Sequence, residues 1–117
     1  MTEQNSLDRL MEVFEILRAV DGLMPVQIAH SFVAIALHAR ITMEQLGLLV
    51  DLSQSACSRN VGTLGLGRSG ERRGHGLVDV ERDPEDARRF LMVPSEKGRR
   101  IARELAKAVG GDVPEGA

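Results

Sequence analysis

Five of the twelve residues in the stretch 65–76, GLGRSGERRGHG, are glycine, and this break divides the chain into two unlike halves. A segment so rich in glycine reads as a flexible loop, because ordering a glycine costs more backbone entropy than ordering any other residue. Before it, apolar residues recur with a helical period; after it come two β-like runs and one more helical pattern. With 117 residues the chain has material for a single core, so both halves must share it. The expected order is helix, helix, helix–turn–helix, loop, β-hairpin, helix, which is a mainly α domain with a small β-hairpin.

The first helix is expected over 7–20, with Ser6 as its N-cap and an apolar stripe of Leu7, Leu10, Met11, Phe14 and Leu17. Asp21-Gly22 stops it. Pro25 suits the first turn of a second helix, 25–38, where its missing N–H has no intrahelical partner to lose. That helix is apolar on most sides (Val26, Ile28, Phe32, Val33, Ile35, Leu37), as a buried central helix would be. Thr42 caps a third helix, with Glu44-Gln45 placed where a capping box needs an acceptor, and the helix's apolar residues are Met43, Leu46, Leu49 and Val50. Ser53 caps a fourth, running to about residue 64. Strands are expected at 77–82 and 88–93 around the turn-forming cluster DPEDA. Ser95 then caps a last helix to about 109, and 110–117 reads as a flexible tail.

Charge is as uneven as the glycine. Residues 1–58 carry three Lys/Arg against seven Asp/Glu, whereas 59–107 carry twelve against eight, within a formal net charge of −2. Such asymmetry suggests a polyanion-binding face on an otherwise acidic body. With no Trp, no Tyr and three Phe, single-strand or RNA binding built on aromatic stacking is disfavoured. No apolar run approaches the ~20 residues that would span a bilayer, and the polar, acidic start (MTEQNSLDRL) does not read as a secretory signal. A cytoplasmic protein with no membrane partner is expected.

Within 42–64 the fourth helix is the informative one. Winding it at about 100° per residue groups Cys57, Val61 and Leu64, with Ala56 and Asn60 beside them, on the side that would pack on Leu46, Leu49 and Leu52. Gln54, Ser55, Ser58, Arg59 and Gly62 fall on the bare side. Small side chains there let a helix sink into a DNA major groove, with Gln54 matched to adenine, Arg59 to guanine or phosphate, and Ser55 and Ser58 to phosphates or base edges. The competing reading is a helical hairpin whose polar face is merely solvated.

The segments ITMEQLGLLVDLSQSACSRNVGTL and GLVDVERDPEDARRFLMVPSEKGRRI resemble the reading unit and wing of the MarR family of winged helix–turn–helix regulators. The most specific piece is Asp86-x-Arg88, followed by Leu91 and Ser95-Glu96-Lys97-Gly98; the likeness covers about 24–105. It implies one winged helix–turn–helix domain over 1–109, with terminal helices 7–20 and 95–109 for dimerisation, a reading unit at 42–64 and a wing at 77–93. It implies a homodimer with contacts from Leu7, Leu10, Met11, Phe14, Leu17, Ile101 and Leu105, and an inverted-repeat operator in double-stranded DNA. Arg88 would enter the minor groove, oriented by Asp86, where concentrated negative potential favours an Arg that reads no base edge. Arg82 and Arg89 join the same DNA-binding surface. A repressor is expected, with a small-molecule effector as a further partner.

Four departures stand out. Asp51 replaces the usual glycine of the turn; Ala56-Cys57 replace Thr-Val; the link before the wing is longer; and one helix follows the wing where the family commonly has two.

The remaining candidates are weaker. Arg68, Arg72 and Arg73 in the glycine stretch would make a mobile phosphate-contacting arm or a solvated loop. Cys57 reads as a small buried hydrophobe, and His30, His38 and His75 as partly buried, hydrogen-bonded side chains, since no metal-ligand spacing joins them. No nucleophile elbow or P-loop is present, and Gly62–Gly67 (GTLGLG) opens no helix. No enzyme, cofactor or metal is expected. The alternative function is a winged-helix interaction or assembly module in the regulatory or replication complex of a mobile element.

Overall fold

The computed structural model describes residues 3–66 and 74–111. Five helices and three strands follow in the order α1 (Glu3–Val20), α2 (Val26–His38), β1 (Ile41–Thr42), α3 (Met43–Val50), α4 (Gln54–Leu64), β2 (Val78–Arg82), β3 (Phe90–Pro94) and α5 (Glu96–Ala108). The strands form one antiparallel sheet in the order β1-β3-β2, with Val80 opposite Met92 and Arg82 opposite Phe90.

Local chemistry explains most boundaries. Thr42 and Gln45 form the reciprocal capping box at α3, the Gln45 N–H donating to Thr42 Oγ1 at 3.1 Å and the Thr42 N–H to Gln45 Oε1 at 2.9 Å. Ser53 and Ser95 accept from the backbone N–H groups of Ala56 and Gly98 and so open α4 and α5. Asp51 ends α3 in the left-handed conformation (φ 54), the role a glycine has in most such turns.

Other boundaries correct the sequence reading. The first helix starts at Glu3, so Ser6 lies inside it rather than capping it; an unpunctuated polar stretch simply continues the helix. Pro25 is the N-cap of α2, in extended backbone, rather than its first helical residue. The hairpin is one part of a three-stranded sheet, because Ile41 and Thr42 pair with Met92 and Leu91. Two residues are too few to show a period of two. Leu49 is exposed rather than packed under α4, and His30 and His38 are exposed as well.

The core lies where α2 meets α3, α4 and the sheet. Phe32, Ile35, Leu46, Leu64, Leu77 and Met92 are its largest fully buried side chains. The buried Asn60 Nδ2 donates to Ser31 Oγ at 3.2 Å, tying α4 to α2 with a satisfied polar pair. Gly98 lies so close to the sheet that a Cβ there would stand 2.0 Å from the Leu77 carbonyl oxygen. Only a residue without a side chain lets α5 meet the root of β2. No helix among the described residues is long and apolar enough to cross a membrane.

Candidate nucleic-acid interface

The two faces of α4 are divided as its periodicity predicts. Cys57, Asn60, Val61 and Leu64 are buried, while Gln54, Ser55, Ser58 and Arg59 are exposed. Burial pushes the Cys57 thiol up from its ordinary value, so it is the neutral thiol that packs beneath the helix. The polar face therefore rests on a rigid base, held at its start by the Ser53 cap.

The wing tip is organised by two carboxylates. Asp86 Oδ1 accepts from the Arg88 backbone N–H at 3.1 Å and from Nε at 3.2 Å, and Arg88 Nη2 reaches Oδ2 at 3.5 Å. The Arg88 side chain is nevertheless 90% exposed. Asp83, with its side chain only 8% exposed, accepts from the Glu85 N–H at 2.8 Å and from Arg89 Nη2 at 3.0 Å. The Glu85 backbone hydrogen bond holds the Asp83 carboxyl below its usual range, helped by Arg89. The Arg88 side-chain hydrogen bond does the same for Asp86. Arg82 lies over the Phe90 ring, 4.9 Å from its centre, and donates to the Ala87 carbonyl. These contacts brace the turn between β2 and β3 with Arg82 at the end of β2 and Arg88 and Arg89 in the turn, Arg88 projecting.

Arg72 and Arg73, with Arg68, lie outside the described residues, as do most of the expected flexible stretch 65–76 and tail 110–117. The two ends of that stretch are tied together. His75 N–H donates to Thr63 O at 2.8 Å, Gly76 N–H to Gly65 O at 2.8 Å and Leu77 N–H to Leu64 O at 2.7 Å. The end of α4 and the start of the wing thus form a hydrogen-bonded neck, which glycine content gives no means to foresee. The roles of Asp83 and Phe90 carry no sequence signal of their own beyond the turn cluster Asp83-Pro84-Glu85-Asp86, because both depend on an arginine brought close by the hairpin.

On the opposite side, Leu7, Leu10, Met11 and Phe14 of α1 are exposed, whereas Leu17 is buried and Ile101 and Leu105 are partly buried against the core. Helix α1 packs along α5, with Arg9 Nη1 donating to Val109 O at 3.1 Å. A cavity of about 370 Å³ opens between α1, α2 and α5, lined by Val13, Leu17, Val33, Leu37, Leu105 and Val109 among others. Among the described residues no three His, Cys, Asp or Glu side chains gather to hold a metal ion.

No family model matches the sequence, and neither does any curated protein. Solved structures do match. Rv1404 from Mycobacterium tuberculosis superposes with a TM-score of 0.68 at 21% identity, over 86% of this chain and 63% of that one. A MarR-like transcriptional regulator from Thermotoga maritima gives 0.62 at 21% identity, over 92% and 75%. The chain has the MarR-like winged-helix fold. NadR, solved in complex with 4-hydroxyphenylacetate, shares this MarR-like fold with a TM-score of 0.65 at 15% identity, over 91% and 68%. The chain spans just under two thirds of the length of Rv1404. Within that fold α3 and α4 are two helices joined by a tight turn, and β2 and β3 form the hairpin that follows them.

Proposed function

We propose that this protein is a dimeric, sequence-specific, double-stranded DNA-binding transcriptional regulator that acts as a repressor. The observation that carries the reading is Arg88, almost fully exposed at the wing tip yet held by Asp86. An unconstrained surface arginine would lose side-chain entropy on entering a groove; one already oriented loses less. Gln54, Ser55, Ser58 and Arg59 would read the major groove, and Arg88 the adjacent minor groove, with Arg82 and Arg89 contributing phosphate contacts. Arg72 and Arg73 would add to the same electrostatic surface.

Dimerisation would use the exposed Leu7, Leu10, Met11 and Phe14, backed from inside by Leu17, Ile101 and Leu105. Two reading helices about 34 Å apart then match successive major grooves and an inverted-repeat operator. By analogy with NadR and its 4-hydroxyphenylacetate, a small molecule in the α1–α2–α5 cavity would act as effector.

The test is fluorescence anisotropy on duplex DNA from upstream of the gene and on a scrambled duplex, at several salt concentrations. Binding about 10³-fold tighter to the first, weakening steeply with salt, supports the reading. Equal, weak binding to both overturns it. A second reading, an interaction module of a mobile-element complex, is favoured by the acidic first half and by Leu48, 79% exposed on α3. Tight capture of a protein partner that is insensitive to Arg59→Ala and Arg88→Ala would select it.

A further inference from the structure

His75 has a largely buried imidazole that the proposed DNA contacts do not use. Its side chain is 10% exposed, and Nε2 lies 3.0 Å from Asp21 Oδ2, fifty-four positions away in the α1–α2 turn. Nδ1 is buried without a hydrogen-bond partner among the described residues. A buried imidazole left half-satisfied is costly, which makes the contact at Nε2 the hydrogen bond among the described residues that orients the ring.

The backbone of the same residue stands at a junction. Its N–H donates to Thr63 O at the end of α4, and its carbonyl accepts from Lys97 Nζ of α5 at 2.9 Å. One residue on, the Gly76 carbonyl accepts from Ser95 Oγ at 2.6 Å, and Leu77 O accepts from the Ser95 N–H at 2.9 Å. The wing root is thus knotted to α4 and α5 by its backbone, and the His75 imidazole reaches the α1–α2 turn. Asp21 is itself braced, Oδ1 accepting from the Leu23 N–H at 3.0 Å.

We propose that His75 is a positioning residue for the wing: the His75–Asp21 contact pins the wing root to the α1–α2 turn, so that the placement of α1 sets the placement of Arg88. The inference rests on the DNA-binding reading only for its consequence. The mechanical link exists whether or not DNA is the ligand.

The first measurement is therefore made without DNA, by amide hydrogen exchange on the full chain carrying His75→Ala, Asp21→Ala or Asp21→Asn. The two alanine variants are expected to speed exchange at Leu77 and Ser95 by about tenfold while leaving Ala56 and Cys57 in α4 unchanged. Asn keeps a carbonyl oxygen for the Leu23 N–H and an amide group facing the ring nitrogen, so Asp21→Asn is expected to stay near wild type. Unchanged wing exchange, or equal acceleration in every element, overturns the proposal. The asparagine variant keeps the test open should either alanine variant fold poorly, because wing exchange as fast in it as in a folded alanine variant also overturns the proposal.

The second measurement is a cycle on duplex DNA. Arg88→Ala should cost about tenfold or more in affinity in the wild type and little in the His75→Ala background, since the wing is by then misplaced. An equal loss in both backgrounds overturns the positioning role. Failure of the wild type to prefer its duplex sinks the DNA-binding reading alone and leaves the exchange result to decide this one.

Discussion

Helix α4 and the wing tip present their arginines by opposite means. Arg59 sits on a helix whose reverse face, Cys57, Asn60, Val61 and Leu64, is locked into the core. Arg88 sits on a loop with no core beneath it, held by Asp86 and by a neighbouring Asp83–Arg89 pair. Packing is insensitive to salt and pH, whereas exposed ion pairs and hydrogen bonds to carboxylates respond to both. One half of the candidate interface should therefore be stiff under all conditions, and the other should be tunable.

The sharpest way to break this contrast is under the helix. Leu64→Ala should remove about 2–5 kcal/mol of stability by leaving a cavity in a fully buried site, read as a lower denaturation midpoint. A loss below about 0.5 kcal/mol would mean that α4 is not held by packing. Next comes Gly98→Ala, which sets a methyl group against the Leu77 carbonyl and should cost about 1–3 kcal/mol or more. Its effect should reach the wing root, seen as shifted amide resonances at Leu77 and Ser95.

Arg88→Ala lies at the other pole. It should leave thermal stability within about 0.5 kcal/mol of wild type, as a fully exposed side chain would, while weakening duplex binding by about 1–3 kcal/mol. Unchanged affinity with an unchanged salt slope would remove the wing from the interface.

The pH dependence is subtler still. Both Asp83 and Asp86 have carboxyls held below the ordinary range in the folded state, so their contribution is complete above that range and is lost as pH falls through the lowered values. The amides of Glu85 and Arg88 should be steady from pH 7 to about 4 and move only below it. Movement between pH 7 and 5 would contradict the two-carboxylate account of the tip. Cys57, by contrast, should react with thiol reagents only as fast as the core opens, because burial both shields it and raises its thiol.

How legible the fold is in the sequence depends on the range of each interaction. Thr42–Gln45, Ser53 and Ser95 are caps settled within three residues, and all three occur where sequence spacing puts them. The two faces of α4 follow from 3.6-residue periodicity alone. By contrast, β1 is two residues long and exists because β3 offers it an edge. The first helix runs on through Ser6 because no signal stops it, and Leu49 is exposed although its spacing suits a buried face.

The sequence by itself determined the order of the elements other than β1, the starts of α3, α4 and α5 set by caps, the polar face of α4 and the Asp86–Arg88 pairing two residues apart. Only the tertiary structure decided that Asn60 meets Ser31, that Gly98 admits the root of the wing, and that His75 reaches Asp21 across fifty-four positions. The physical reason is the same in each case. Caps and helix faces are fixed by the backbone within a turn or two, whereas a contact between distant residues exists only once the whole core has set the distance between the elements that carry them.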